Sequence, residues 1–170
     1  METITYQLPQ SQALTALRAQ HRLGGSIYGI VNTSAPTQIQ AGCSHGHVAP
    51  DPNCSCGYGL ADDLAELDSC EYLQDRDAPF LCLVKAWGQI VIDEPSQGAT
   101  FRAQFCQVQA VADISPLDPA TAPQDELDIQ AVAALYGVPV LSEADLFKRL
   151  ATANPTLESQ RRQHLPARTL

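Results

Sequence analysis

Basic residues are scarce in this chain: 10 lysines and arginines stand against 19 acidic residues, for a net charge of −9. Aromatic residues amount to 6%, with a single tryptophan, and the initiator is the one methionine. The apolar run Phe80-Leu81-Cys82-Leu83-Val84 falls far short of the roughly 20 residues a helix needs to cross a bilayer. Met1-Glu2-Thr3-Ile4-Thr5-Tyr6 has neither the basic nor the apolar region of a secretory signal. The expectation is therefore a cytoplasmic protein with no membrane partner.

The charge deficit is local. Between Asp51 and Asp145 the only bases are Arg76, Lys85 and Arg102, whereas Lys148, Arg149, Arg161, Arg162 and Arg168 gather late. Nucleic-acid affinity comes from cationic contacts to phosphate, so duplex binding by the acidic body is disfavoured. Binding through the basic tail is the third functional reading.

Catalytic signatures are also missing. A zinc deaminase needs His-x-Glu and a later Pro-Cys-x-x-Cys; this chain has His45-Gly46-His47 and Asn53-Cys54-Ser55-Cys56. No His-Glu-x-x-His occurs, and Gly24-Gly25 is not followed by the Gly-Lys-Ser/Thr of a phosphate loop. Cys70 with His21 has no surroundings that would make a nucleophile pair. Asp62/Asp63 and Asp93/Glu94 read as solvated acids. No catalytic or organic-cofactor residue is nominated.

What is present begins with a chain of 170 residues, long enough for one domain with a real core. Residues 2–8 and 26–32 read as short strands. Ala13, Leu14 and Leu17 give Gln12 to His21 the spacing of a helix. Leu60, Leu64 and Leu67, opposed by Asp62, Asp63, Glu66 and Asp68, predict an amphipathic helix. Phe80 to Ile92 and Thr100 to Ile114 are β-rich and separated by Asp93-Glu94-Pro95-Ser96-Gln97-Gly98, so a long hairpin follows. Its first strand reads as buried on both faces. Trp87 reads as sheet packing, and Gly88 as a place for a bulge. Leu127, Ile129, Val132, Leu135 and Tyr136 predict a helix from about Glu126 that ends at Gly137. Ser142-Glu143-Ala144-Asp145 has the spacing of a capping box, opening a last helix to about Ala151. From Asn154 the chain is polar and basic, with the composition of a mobile tail.

Cysteine use carries the strongest chemical signal. Three of the six cysteines and two of the four histidines fall between Cys43 and Cys56. Cys82 and Cys106 sit in apolar or strand-like runs and read as buried, inert thiols. Zinc takes four thiolate or imidazole ligands in a tetrahedron. Cys43 and His47 are close enough for one turn to present both, and Cys54-x-Cys56 is followed by Gly57, which permits a tight backbone. Pro50 and Pro52 stiffen the loop between. Cys43, His47, Cys54 and Cys56 are thus the expected ligands of a structural Zn2+, with His45 as the reserve imidazole. A Cys54–Cys56 disulfide would close a strained ring and is the weaker reading.

The string His47-x-x-Pro50, Cys54-x-Cys56-Gly57-Tyr58, then Val84-x-x-Trp87-Gly88-x-x-Val91, Phe101-Arg102-Ala103 and Tyr136-Gly137-Val138-Pro139-Val140 resembles a pattern in uncharacterised actinobacterial and phage-associated proteins. The resemblance covers about residues 20–141. It implies that the cysteine cluster and the hairpin belong to one domain, and it brings no established activity. Gly59 stands where an alanine is more usual in that pattern.

The expected fold is α+β: a small antiparallel sheet centred on the hairpin of about 80–114, three or four flanking helices and a zinc-stapled loop. It forms one domain over 1–153, with a basic tail over 154–170. The leading functional reading is a non-enzymatic adaptor with an acidic surface, phage or mobile-element encoded, engaging a basic protein. The alternative is a small hydrolase-like zinc enzyme with an open metal position.

Overall fold

The computed structural model describes residues 4–23, 26–29, 39–61, 79–92, 101–113 and 128–153. Six strands form one sheet: β1 (Ile4–Leu8), β2 (Leu14–Leu23), β3 (Ser26–Gly29), β4 (Tyr58–Leu60), β5 (Pro79–Ile92) and β6 (Phe101–Asp113). Two helices follow, α1 (Ile129–Tyr136) and α2 (Glu143–Ala153).

The β5–β6 hairpin is the spine, paired from Phe80↔Asp113 to Ile92↔Phe101. β1 and β2 lie in tandem along the other edge of β5, with Leu8 opposite Gly88 and Leu14 opposite Ala86. Ala61 exchanges backbone hydrogen bonds with Leu17 of β2 at 2.7 and 2.9 Å, so the sheet curls from β4 back toward β2.

The small sheet with three or four flanking helices is overturned here. The sheet is the larger part, and the described residues contain two helices. The segment expected as a helix over Gln12 to His21 is mostly β2, after a 3-10 turn at Gln10–Gln12. Its Ala, Leu, Arg and Gln residues favour helix, but burial on two faces overrides so weak a preference. Leu14 and Ala16 pack into one core, Leu17 and Ala19 into the other. A regular helix would break the register from Leu14↔Ala86 to His21↔Pro79. Leu60, placed at the start of a second helix, is a fully buried strand residue. The rest of that segment, Cys70, the hairpin turn and the tail after 153 lie outside the described residues.

Each sheet face is covered by one helix. Phe80, Cys82, Val84, Ala86 and Ile90 point into a core closed by Val132 and Ala133 of α1. Leu81 and Leu83 point into a second core closed by Leu146 and Leu150 of α2. β5 is therefore apolar on both faces, which is why its alternation is imperfect. The helix ends follow their capping chemistry. Asp128 accepts from the Gln130 and Ala131 N–H groups, and Gly137 closes α1. Ser142 Oγ accepts from the Asp145 N–H at 3.1 Å while donating to its carboxylate at 2.8 Å.

Polar side chains enter the first core in partnership. Arg18 is 2% exposed, donates to the Gly59 carbonyl at 3.1 Å and lies over the Tyr58 ring. Burial pushes the Tyr58 hydroxyl up to about 12. Gln20 accepts from the Tyr136 hydroxyl at 2.5 Å, tying α1 to β2. Burial raises the thiol pKa values of Cys82 and Cys106, so both are inert packing groups.

Candidate metal centre

Sheet register explains where the Cys/His loop sits. The segment entering it pairs with β6 through Ala41 N–H to the Gln104 carbonyl and Cys106 N–H to the Ile39 carbonyl. The segment leaving it, β4, pairs with β6 from Tyr58↔Ala103 to Leu60↔Phe101. Both lie on one edge of β6 in one continuous line. Residues 42–57 are thus an excursion from a single strand whose ends face adjacent residues of β6, the geometry of a compact Ω-loop. The excursion has little apolar surface of its own, so it must be held by specific bonds.

Four bonds from sheet side chains do this. β5 carries a bulge where both Gly88 and Gln89 oppose Gln104, since Trp87 pairs with Phe105 and Ile90 with Ala103. Gly88 has φ +82, and a Cβ there would lie 2.5 Å from the Phe105 ring. The bulge frees the Gln89 N–H, which the Gln104 amide oxygen accepts at 3.1 Å, and turns the Gln89 side chain to the Pro50 carbonyl at 2.8 Å. Beside it, Trp87 stacks on Phe105 with ring centroids 5.6 Å apart. From β6, Arg102, only 4% exposed, donates through Nη1 to the carbonyls of Asp51 (3.1 Å), Cys56 (2.6 Å) and Cys54. One guanidinium thereby fixes the backbone on both sides of the Cys54-x-Cys56 pair.

The loop brings Cys43, His47, Cys54 and Cys56 together, with one donor atom of each within 4.8 Å of all the others. Zinc–sulfur bonds of about 2.3 Å and zinc–nitrogen bonds of about 2.1 Å make tetrahedral S···S edges of about 3.8 Å and S···N edges of about 3.6 Å. Cys43 Sγ lies 3.8 Å from Cys54 Sγ and 3.3 Å from His47 Nδ1, and Cys56 Sγ lies 3.8 Å from His47 Nδ1. Three of the six donor–donor edges thus match an ion of that size, and all four donors lie within 4.8 Å of one another. His45 is close by, its Nδ1 3.5 Å from Cys54 Sγ and 3.8 Å from Cys43 Sγ.

Electrostatics around the thiols are uneven. Desolvation opposes ionisation of Cys43. The His45 backbone N–H and the neighbouring Cys56, His45 and Cys54 side chains outweigh it and bring the thiol down to about 6. Burial, reinforced by the adjacent Cys54 and Cys43, lifts Cys56 to about 11 against the Asp51 N–H that it accepts. Three thiolates, one neutral imidazole and a divalent ion leave one net negative charge, and Arg102 places a buried cation behind the loop.

Within the loop, Gly57 is the tightest point. Its φ is +115, and a Cβ there would stand 2.8 Å from Pro50 Cβ and 3.1 Å from Arg102 Cβ. Gly57→Ala is expected to push Pro50 and Arg102 apart, weakening metal binding and lowering the Tm. Metal titration followed by thermal melting checks this, and unchanged values would refute it.

The sequence made legible that Cys43, His47, Cys54 and Cys56 form a cluster that could hold a metal, whereas Arg102 and Gln89 were not nominated for it. The available signal was the lone basic residue of that strand set between two apolar ones, since Phe101 and Ala103 flank Arg102 and both are buried. No protein-family profile, curated protein or solved structure matches the chain. Among the described residues, no helix is long and apolar enough to cross a membrane.

Proposed function

We propose that this chain is a non-enzymatic interaction protein in which a structural zinc ion, held by Cys43, His47, Cys54 and Cys56, fixes a loop that docks a basic partner protein. The observation that carries the reading is the donor set itself: three thiols and one imidazole within 4.8 Å of one another. A catalytic zinc keeps one position for water and commonly has a carboxylate beside it. The one acid within the loop, Asp51, accepts the Asn53 N–H at 2.8 Å instead.

Two features favour docking. Val48 on the loop is 65% exposed and Ile39 at its entrance 46%, a large apolar side chain on and beside a loop with a fixed backbone. The net charge of −9 favours encounter with a basic surface. The resemblance to phage-associated proteins belongs to the same reading: a mobile-element product acting on a host protein, such as a nucleic-acid-binding factor with a cationic face.

Metal analysis of the native protein is expected to give one zinc per chain. A basic partner captured by the wild type is expected to dissociate with salt and to be lost by Val48→Asp, which leaves metal content unchanged. Zinc-free wild-type protein would sink the metal reading, and capture indifferent to both salt and Val48→Asp would sink the docking reading.

A further inference from the structure

We propose that His45 is a second imidazole ligand of the metal centre, able to take the nitrogen position in place of His47 while the three thiolates retain the ion. The proposal rests on the metal reading above and concerns how that site is regulated. The two ring nitrogens address different edges of the same sulfur triangle. His47 Nδ1 faces the Cys43–Cys56 edge at 3.3 and 3.8 Å, and His45 Nδ1 faces the Cys43–Cys54 edge at 3.8 and 3.5 Å. Both pairs bracket the S···N edge of about 3.6 Å expected in a tetrahedral site.

The backbone supports both positions. His45 and His47 flank Gly46, whose N–H bonds the Cys43 carbonyl at 3.2 Å in a tight turn. The His45 N–H itself donates to Cys43 Sγ at 3.4 Å, so the residue is anchored to the shared thiol. The rings stack with centroids 5.7 Å apart and an interplanar angle of 23°, and both side chains are exposed.

An ion with a waiting ligand need not be bare when one imidazole leaves. His45 and His47 would share the nitrogen position, so the imidazole could exchange while Cys43, Cys54 and Cys56 would keep hold of the ion. Zinc availability could then set the order of the docking loop without unfolding the sheet beneath it.

The test uses cadmium-113 as the probe and full-length protein labelled with nitrogen-15 at histidine. In the wild type, cadmium is expected to shift both the His45 and the His47 Nδ1 resonances. In His47→Ala, one cadmium per chain is expected to remain, with cadmium–nitrogen coupling at His45 Nδ1, and His45→Ala should show coupling at His47. The double variant should give a cadmium shift of three sulfurs and no nitrogen. If His45 Nδ1 stays unshifted in the wild type and uncoupled in His47→Ala, the exchange proposal fails and His47 alone supplies the nitrogen. If the wild type binds no cadmium, the metal reading fails as well.

Discussion

Removing the metal is expected to lower the Tm of the wild-type chain by about 10 °C. A ligand present at about 1,000 times its dissociation constant stabilises the state that binds it by about 4 kcal/mol. For a domain of this size each kcal/mol moves the Tm by about 2–4 °C. Residues 42–57 bury little apolar surface, with Ala49, Pro50 and Gly57 buried and His45, His47 and Val48 exposed, so beside the bonds from Gln89 and Arg102 the metal would be their main source of order. Cys54→Ser and Cys56→Ser should each reproduce most of the fall, because a serine hydroxyl is a poor zinc ligand. The decisive comparison is chelator on the variants. If the Tm loss is the metal's, a chelator lowers the wild type and leaves the variants where they are. Equal melting of all forms, with and without chelator, would overturn the site.

Acid should act in the same direction. Metal binding holds the thiols as thiolates, so their pKa values in the bound state fall below those of the free chain. Stability from the metal is then present at neutral pH and lost as pH falls. Cys56, at about 11 in the metal-free loop, must give up a proton when metal binds at neutral pH. Cys43, at about 6, adds a second protonation below that value.

The sheet was legible where local chemistry and tertiary packing agree. The hairpin announced itself through two Val- and Ile-rich runs around Asp93-Glu94-Pro95-Ser96-Gln97-Gly98, and the helix ends through Ser142 with Asp145 and through Gly137. β2 was illegible because its residue types prefer helix and most of its pairing is with residues distant in sequence, Pro79 to Ala86, while the neighbouring β3 pairs only its last four residues. The loop's donors could be read from spacing alone, since Cys43, His47, Cys54 and Cys56 lie within fourteen residues. The groups that hold the loop could not. Arg102 is 46 residues from Cys56, and Gln89 is 39 from Pro50. Only the β6 register brings Arg102 beside β4 and so beside the loop's exit.

Arg102 therefore supplies the sharpest mutational prediction. Arg102→Met keeps an apolar stem in the space it fills but removes the donor shared by the Asp51, Cys54 and Cys56 carbonyls. Each carbonyl left unpaired away from water costs about 1–3 kcal/mol, so the loop is expected to open and expose them rather than keep all three unsatisfied. Opening separates Cys54 and Cys56 from Cys43, and metal affinity should fall by about 10- to 100-fold, as for other losses of groups that orient ligands. Arg102→Lys restores the charge but not the planar fork, and should recover only part of the affinity. The readout that separates a positioning role from general destabilisation is metal affinity set against the Tm of the chelated protein. Arg102→Met should lose more of the metal-dependent stabilisation than of the metal-free stability, because the guanidinium acts on the loop and the sheet keeps its other pairings. Unchanged affinity in Arg102→Met would show that the thiols assemble without it, and would reduce Arg102 to an ordinary buried hydrogen-bond donor.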